Sequence, residues 1–154
     1  EDFSDLEPTV IPGVSSFNAA NAALRQSVTK KAGSVLISAG DDLGNPDEHG
    51  RLRIMLVLFT HRAKFSDLLP RLQARYPLDT PIAVVTEASY ERQQVVFATL
   101  GTIQEELAGK ELPHLYLIYV GDGLTLAKTV GGKAGEAGSE HPAPRAATAT
   151  GPGA

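Results

Sequence analysis

"RIMLVLF", residues 53–59, is an almost unbroken apolar run. A run that short, with no polar alternation, fits a strand covered on both of its faces. That reading calls for helices above and below a sheet, and the flanking sequence supplies them. "AKFSDLLPRLQARY" (63–76) sets Phe65, Leu68, Leu69, Leu72 and Tyr76 at helical spacing. Pro70 falls inside that pattern; lacking an N–H, it predicts a kink or a restart. Upstream, "SVLIS" (34–38) reads as a strand, joined through the polar loop "DDLGNPDEHG" (41–50) with breaks at Gly44, Pro46 and Gly50.

Downstream, "TPIAVVTEA" (80–88) and "QQVVFATL" (93–100) read as two strands around the polar turn "SYER". So short a connection suits an antiparallel pair. "TIQEELAG" (102–109) reads as a helix closed by a glycine, and "HLYLIYVGDG" (114–123) as the last strand and its turn. At the other end, "TVIPGVSSFNAANAAL" (9–24) is a strand–turn–helix join. Val10-Ile11 closes a first strand, Pro12-Gly13 turns the chain, and Ser15 or Ser16 can cap the helix. Phe17, Ala20, Ala23 and Leu24 share one face of it. The alternation predicts an α/β layered sandwich, with a mixed sheet of about five or six strands and flanking helices. The two helices that cover the sheet are expected after the first and third strands.

Composition limits the function classes. A chain of 154 residues, 42% apolar and 21% charged, is sized for one globular domain. A net charge of −4 argues against nucleic acid, which calls for a clustered basic surface. The lack of cysteine excludes disulfides, zinc–thiolate sites and thiol nucleophiles. With no signal peptide or long apolar run, a cytoplasmic protein without membrane contact is expected. The chain begins at Glu1-Asp2, so a processed product or a portion of a longer protein is expected. Residues 129–154 are rich in Gly, Ala and Pro and lose all periodicity. They read as a flexible tail behind a domain spanning 1–128.

Self-contained chemistry is hard to find. "TVGGKAGE" resembles a phosphate loop, but Ala127 stands at its first glycine and Ala134 at its Ser/Thr. His49, His61, His114 and His141 have no metal-ligand spacing, so no metal is expected. The 41–50 loop lacks the alternating oxygen ligands of a calcium loop. Ser15 follows Gly13-Val14 without the frame of a nucleophile elbow. On these residues alone the chain reads as a binding domain, and no catalytic residue is identified.

Four ordered blocks carry a resemblance. "VIPGVSSFNAANAAL", "LVLFTHRAKFSDLLPRL", "PIAVVTEASYERQQVVFATLGTI" and "HLYLIYVGDGL" resemble, in register over 8–124, the second half of the tetrapyrrole methylases. The nearest branches look like uroporphyrinogen-III and precorrin-4-type methyltransferases. The resemblance implies a transferase of sirohaem or cobalamin synthesis with S-adenosylmethionine as cofactor and a tetrapyrrole as substrate. It also implies a homodimer, and two α/β domains with the cofactor between them. The first domain's G-x-G-P-G-D loop and G-D-P segment do not occur here. The chain therefore corresponds to the second domain, holds half of the cofactor site, and is expected to be inactive without the missing N-terminal domain.

Carried over position by position, the implied cofactor contacts are Ser15, Ser16, Thr60 (where relatives often have methionine) and Ala88 (where some have glycine). The glycine of the family's G-T-L segment is Ala98 here, and that segment is left out of the site. A carboxylate-rich substrate calls for basic groups at the rim, and Lys30, Lys31, His61 and Arg62 follow strand and helix ends. Arg62 is the expected substrate contact. The plain alternatives are helix caps for Ser15 and Ser16, ordinary strand ends for Thr60 and Ala88, and a solvated surface for Arg62. Two other functions fit the same residues: an RNA or protein methyltransferase of this fold, and a non-catalytic binding or dimerisation module.

Overall fold

The computed structural model describes residues 13–61 and 64–126. Five strands form one mixed sheet: β1 (Val35–Ser38), β2 (Met55–Phe59), β3 (Pro81–Thr86), β4 (Gln94–Thr99) and β5 (Tyr116–Val120). Their order across the sheet is β1-β2-β5-β3-β4. β1 and β2 run parallel; β2–β5, β5–β3 and β3–β4 are antiparallel. The short "SYER" connection thus makes the antiparallel pair its length predicts. The first predicted strand, at Val10-Ile11, the segment 62–63 and the predicted tail lie outside the described residues.

The apolar run at the centre behaves as its composition dictates. Along β2, Leu56 and Leu58 enter one core while Met55 and Val57 enter the other. β5 and β3 repeat the alternation, with Ile118 and Val84 on the first face and Tyr119 and Ala83 on the second. Strands buried twice have no room for polar side chains, so the run stays apolar at every position.

Helix α2 (Phe65–Gln73) covers the first face with Leu68, Leu69 and Leu72, and α3 (Ile103–Glu106) adds Ile103. The second face is covered by α1 (Ser16–Leu24), whose buried residues are Ala20 and Leu24. Phe17 of α1 stacks on Tyr119 of β5, with ring centroids 6.4 Å apart. Both covering helices lie where the hydrophobic pattern puts them.

Two expectations need correcting. Of the kink or restart expected at Pro70, the restart does not occur: α2 continues through it to Gln73, and the Ala74 amide still donates to the Pro70 carbonyl at 2.9 Å. Proline forfeits one bond, but buried leucines on both sides of it hold the helix in place. The helix predicted over 102–109 is a single turn; Gly109, at φ +74°, lies beyond its end.

Candidate functional site

The carboxyl ends of β2 and β3, the start of β5 and the first turn of α1 meet at one edge of the sheet. They enclose a cavity of about 210 Å³. Phe59, Val85, Leu115 and Leu117 make its apolar walls. Ser16, Thr60, Glu87, Ala88 and Tyr90 also line it. Crevices outside the carboxyl ends of strands are where open α/β sheets bind ligands, because loops there are free to vary around a rigid support.

Three of the four predicted cofactor contacts, Ser16, Thr60 and Ala88, come together here from separate stretches of the chain. Ser15 stands apart. It is the N-cap of α1, and its hydroxyl accepts the Phe17 amide at 3.2 Å. Of the pair that sequence left open as cap or contact, Ser15 carries the cap hydrogen bond and Ser16 lines the cavity. Arg62 lies outside the described residues.

Thr60 also has a structural task. Its hydroxyl donates to the Tyr116 carbonyl at 2.7 Å and accepts the Tyr116 amide at 3.2 Å. The β2–β5 ladder ends at the Phe59–Leu117 pair, so this side chain extends the pairing by one step. Tyr116 in turn accepts the amide of Phe65, at the start of α2, on its own hydroxyl at 2.9 Å. Burial pushes the Tyr116 hydroxyl above its usual range, and it stays protonated.

The turn after β3 holds what motif reasoning missed. Glu87 and Ser89 both have positive φ, +47° and +72°, in a region that non-glycine residues seldom occupy. The turn is fixed by its own polar groups. Arg92 pairs with Glu87 at 2.8 Å, and the Ser89 amide donates to the Gln93 side chain at 2.9 Å. Tyr90, 75% exposed, stands at the mouth of the cavity. The only hint in the sequence is a polar turn placed directly after a fully buried strand.

Among the described residues no group of His, Asp and Glu side chains could hold a metal ion. No described helix is long and apolar enough to cross a membrane.

Comparison with known proteins gives this edge of the sheet a context. A family described as Tetrapyrrole (Corrin/Porphyrin) Methylases matches residues 1–104. Precorrin-4 C(11)-methyltransferase of Mycobacterium tuberculosis is 33% identical over 126 residues, covering 75% of this chain and 50% of that protein. Cobalt-precorrin-4 C(11)-methyltransferase of Methanocaldococcus jannaschii is 28% identical, with 76% and 49% covered. The chain spans about half the length of the curated relatives it matches.

Among solved structures, a cobalt precorrin-4 methyltransferase superposes with a TM-score of 0.61 at 19% identity, over 77% of this chain and 53% of its own. A uroporphyrin-III C-methyltransferase of Thermus thermophilus gives 0.52 at 28% identity, over 72% and 46%. A uroporphyrin-III C-methyl transferase of Thermus thermophilus complexed with S-adenosyl homocysteine gives 0.51 at 23% identity, over 73% and 52%. A match over 104 of the 154 residues takes in α1, α2 and the first four strands, so the resemblance rests on most of the fold: the chain belongs to the tetrapyrrole (corrin/porphyrin) methylase family.

Proposed function

We propose that this chain is the second half of an S-adenosylmethionine-dependent methyltransferase acting on a tetrapyrrole, of the precorrin-4 type, and that it works with a first domain that closes the cofactor site. The observation that carries this reading is the convergence of Ser16, Thr60 and Ala88 on one cavity at the strand ends. The similarity to precorrin-4 methyltransferases supports the substrate class.

The lining suits part of the cofactor. Apolar walls and the exposed Tyr90 ring would take an adenine face, and the Glu87 carboxylate and Ser16 hydroxyl can accept polar hydrogens. A cavity of about 210 Å³ is small for the whole molecule, which fits a site with a second wall on another domain. Bound there, S-adenosylmethionine would supply an electrophilic methyl, which an electron-rich ring carbon would take as the methyl–sulfur bond breaks and the thioether of S-adenosylhomocysteine leaves. The chain's own part is alignment and dryness: Phe59, Val85, Leu115 and Leu117 exclude water from the cavity. Glu87, held by Arg92, keeps a carboxylate fixed at the rim.

The proposal extends to Arg62 as a contact for a substrate carboxylate, to a homodimer, and to a cytoplasmic setting. Charge reversal at Arg62 should weaken tetrapyrrole binding, and sedimentation should give twice the chain mass. Amide-resolved NMR with S-adenosylhomocysteine tests the core of the reading. Shifts centred on Ser16, Thr60 and Ala88, weak in affinity and lost in Ala88→Trp, are expected. Shifts confined elsewhere would overturn the cofactor assignment. Tight binding by this chain alone would overturn the half-site.

A further inference from the structure

A second depression, about 300 Å³, opens beside the apolar cavity and shares Thr60, His61 and Tyr116 with it. The rest of its lining is Lys64, Leu112, Pro113 and His114. The two depressions are one continuous surface with a change of character along it. The first offers apolar walls; the second presents an ammonium and two imidazoles. We infer that His61, Lys64 and His114 form a carboxylate subsite, which takes an acidic side chain of the ligand whose ring system lies over Thr60 and Tyr116.

The arrangement is held from below. His61 and Lys64 follow β2, and His114 precedes β5. The Thr60–Tyr116 hydrogen bonds and the Phe65 amide on the Tyr116 hydroxyl tie those two segments together at the floor. Three basic side chains from two distant segments are thus kept on one wall. None of the five ion pairs among the described residues uses them.

Charge makes the wall unusual for this protein. The chain carries −4 overall, yet no acidic residue lines this depression. Glu111, close in sequence, lines a different cavity together with Lys110. Asp67, the carboxylate nearest in sequence to Lys64, accepts from Ser66 at 3.2 Å. A neutral imidazole still donates one N–H, so the wall can bind a carboxylate whether or not its histidines are charged. The Tyr116 hydroxyl, which accepts from Phe65, keeps its own hydrogen to donate. A lysine with imidazole donors in a half-enclosed site gives charge-assisted hydrogen bonds, which are among the stronger polar contacts.

This subsite rests on the proposed tetrapyrrole reading for its ligand, but not on the cofactor assignment, and the experiment keeps the two apart. The 154-residue chain is titrated by NMR with uroporphyrin III, with inorganic phosphate and, separately, with S-adenosylhomocysteine. Porphyrin is expected to shift His61, Lys64 and His114 together with Thr60, and Lys64→Glu should weaken it about tenfold. His114→Gln should weaken it about threefold, and neither variant should change the S-adenosylhomocysteine shifts at Ala88. Porphyrin shifts that avoid these residues, or no porphyrin binding, would overturn the subsite even if the cofactor arm succeeds. Phosphate shifting the same amides at equal affinity would overturn it as well, since the wall would then be a general anion site. Porphyrin shifts as expected beside an unresponsive Ala88 would uphold the subsite and sink the cofactor assignment instead.

Discussion

The two ends of the central strands are built in opposite ways. Where β2 and β3 begin, polar groups are matched to one another. Arg51 reaches Asp79 at 2.9 Å and Asp122 at 3.8 Å, while Arg53 pairs with Asp47. Asp47 also accepts the amides of His49 and Arg51. The loop above is tied to the end of α2, with the Tyr76 hydroxyl donating to the Leu43 carbonyl at 2.6 Å. Where β2 and β3 end, the chain leaves an apolar cavity, a turn with two left-handed residues, an exposed tyrosine and three basic side chains. One end matches its polar groups to one another; the other pairs Thr60 with Tyr116 and Glu87 with Arg92 but has His61, Lys64 and His114 outside the ion pairs found among the described residues. The cofactor and substrate roles proposed above fall at the second end, so substitutions at the two ends should fail differently.

The sharpest way to break this comparison is at Gly121, which follows β5 at the fastened end. Its φ is +138°, and a Cβ there would come within 2.7 Å of the Ile54 carbonyl oxygen. That neighbour is backbone and has little freedom to move. Gly121→Ala should cost about 3 kcal/mol in urea unfolding, with the ligand-induced shifts at Ser16 and Ala88 preserved in the remaining folded fraction. A near-neutral result would mean that the fastened end is less rigid than its contacts imply.

Thr60 tests the boundary between the two ends, since it belongs to the ligand edge yet closes a ladder. Thr60→Val keeps the shape and removes both bonds to Tyr116, leaving a buried carbonyl and amide without that partner. We expect a loss of about 2 kcal/mol and a weaker response of both cavities to their ligands. Stability unchanged with binding lost would reassign Thr60 to ligand contact alone.

Ser15 and Ser16 separate the two roles at adjacent positions. Ser15→Ala removes the cap and should cost about 1 kcal/mol, whereas Ser16→Ala should leave the unfolding curve in place and diminish the cofactor shifts. Equal effects from both would dissolve the distinction.

These residues also mark how far the sequence could be read. The apolar stretch Met55–Phe59 within the 53–59 run announces its own sheet position because a strand covered twice is apolar along its length, and β2 lies in the sheet interior. The cavity was legible only where family resemblance named a position, as at Ser16, Thr60 and Ala88. Glu87 and Tyr90 were not, because nothing in "TEASYER" states that the chain will turn through positive φ and carry a tyrosine over the cavity. Cap and contact could not be told apart at Ser15 and Ser16, since both roles ask for the same hydroxyl one residue from a helix start. His61 and His114 lie far apart in the chain and share a wall only because β2 and β5 are neighbours. At Pro70 local propensity forecasts a kink or a restart, and burial of Leu68, Leu69 and Leu72 carries the helix through without the restart.

The smallest expected effect is a titration at the fastened end. Arg53, then the Arg51 and His49 amides, hold the Asp47 carboxyl down to about 2, from the 3.8 of a free aspartate. Between those values the unfolded chain binds a proton that the folded chain does not, so stability rises with pH across this window. Asp47 thus contributes fully above about pH 4, and its contribution fades as the pH falls through the folded value. Asp47→Asn should shift the urea midpoint down by the same small amount from neutral pH to about pH 4, and the two curves should converge towards pH 2. The carboxyl resonance of Asp47 in the folded protein should titrate over that same acid range. Curves that stay apart in acid would mean that Asp47 acts by shaping the loop through its oxygen geometry rather than by its charge. In that event the fastened end is held by turns, and its ion pairs with the arginines are incidental.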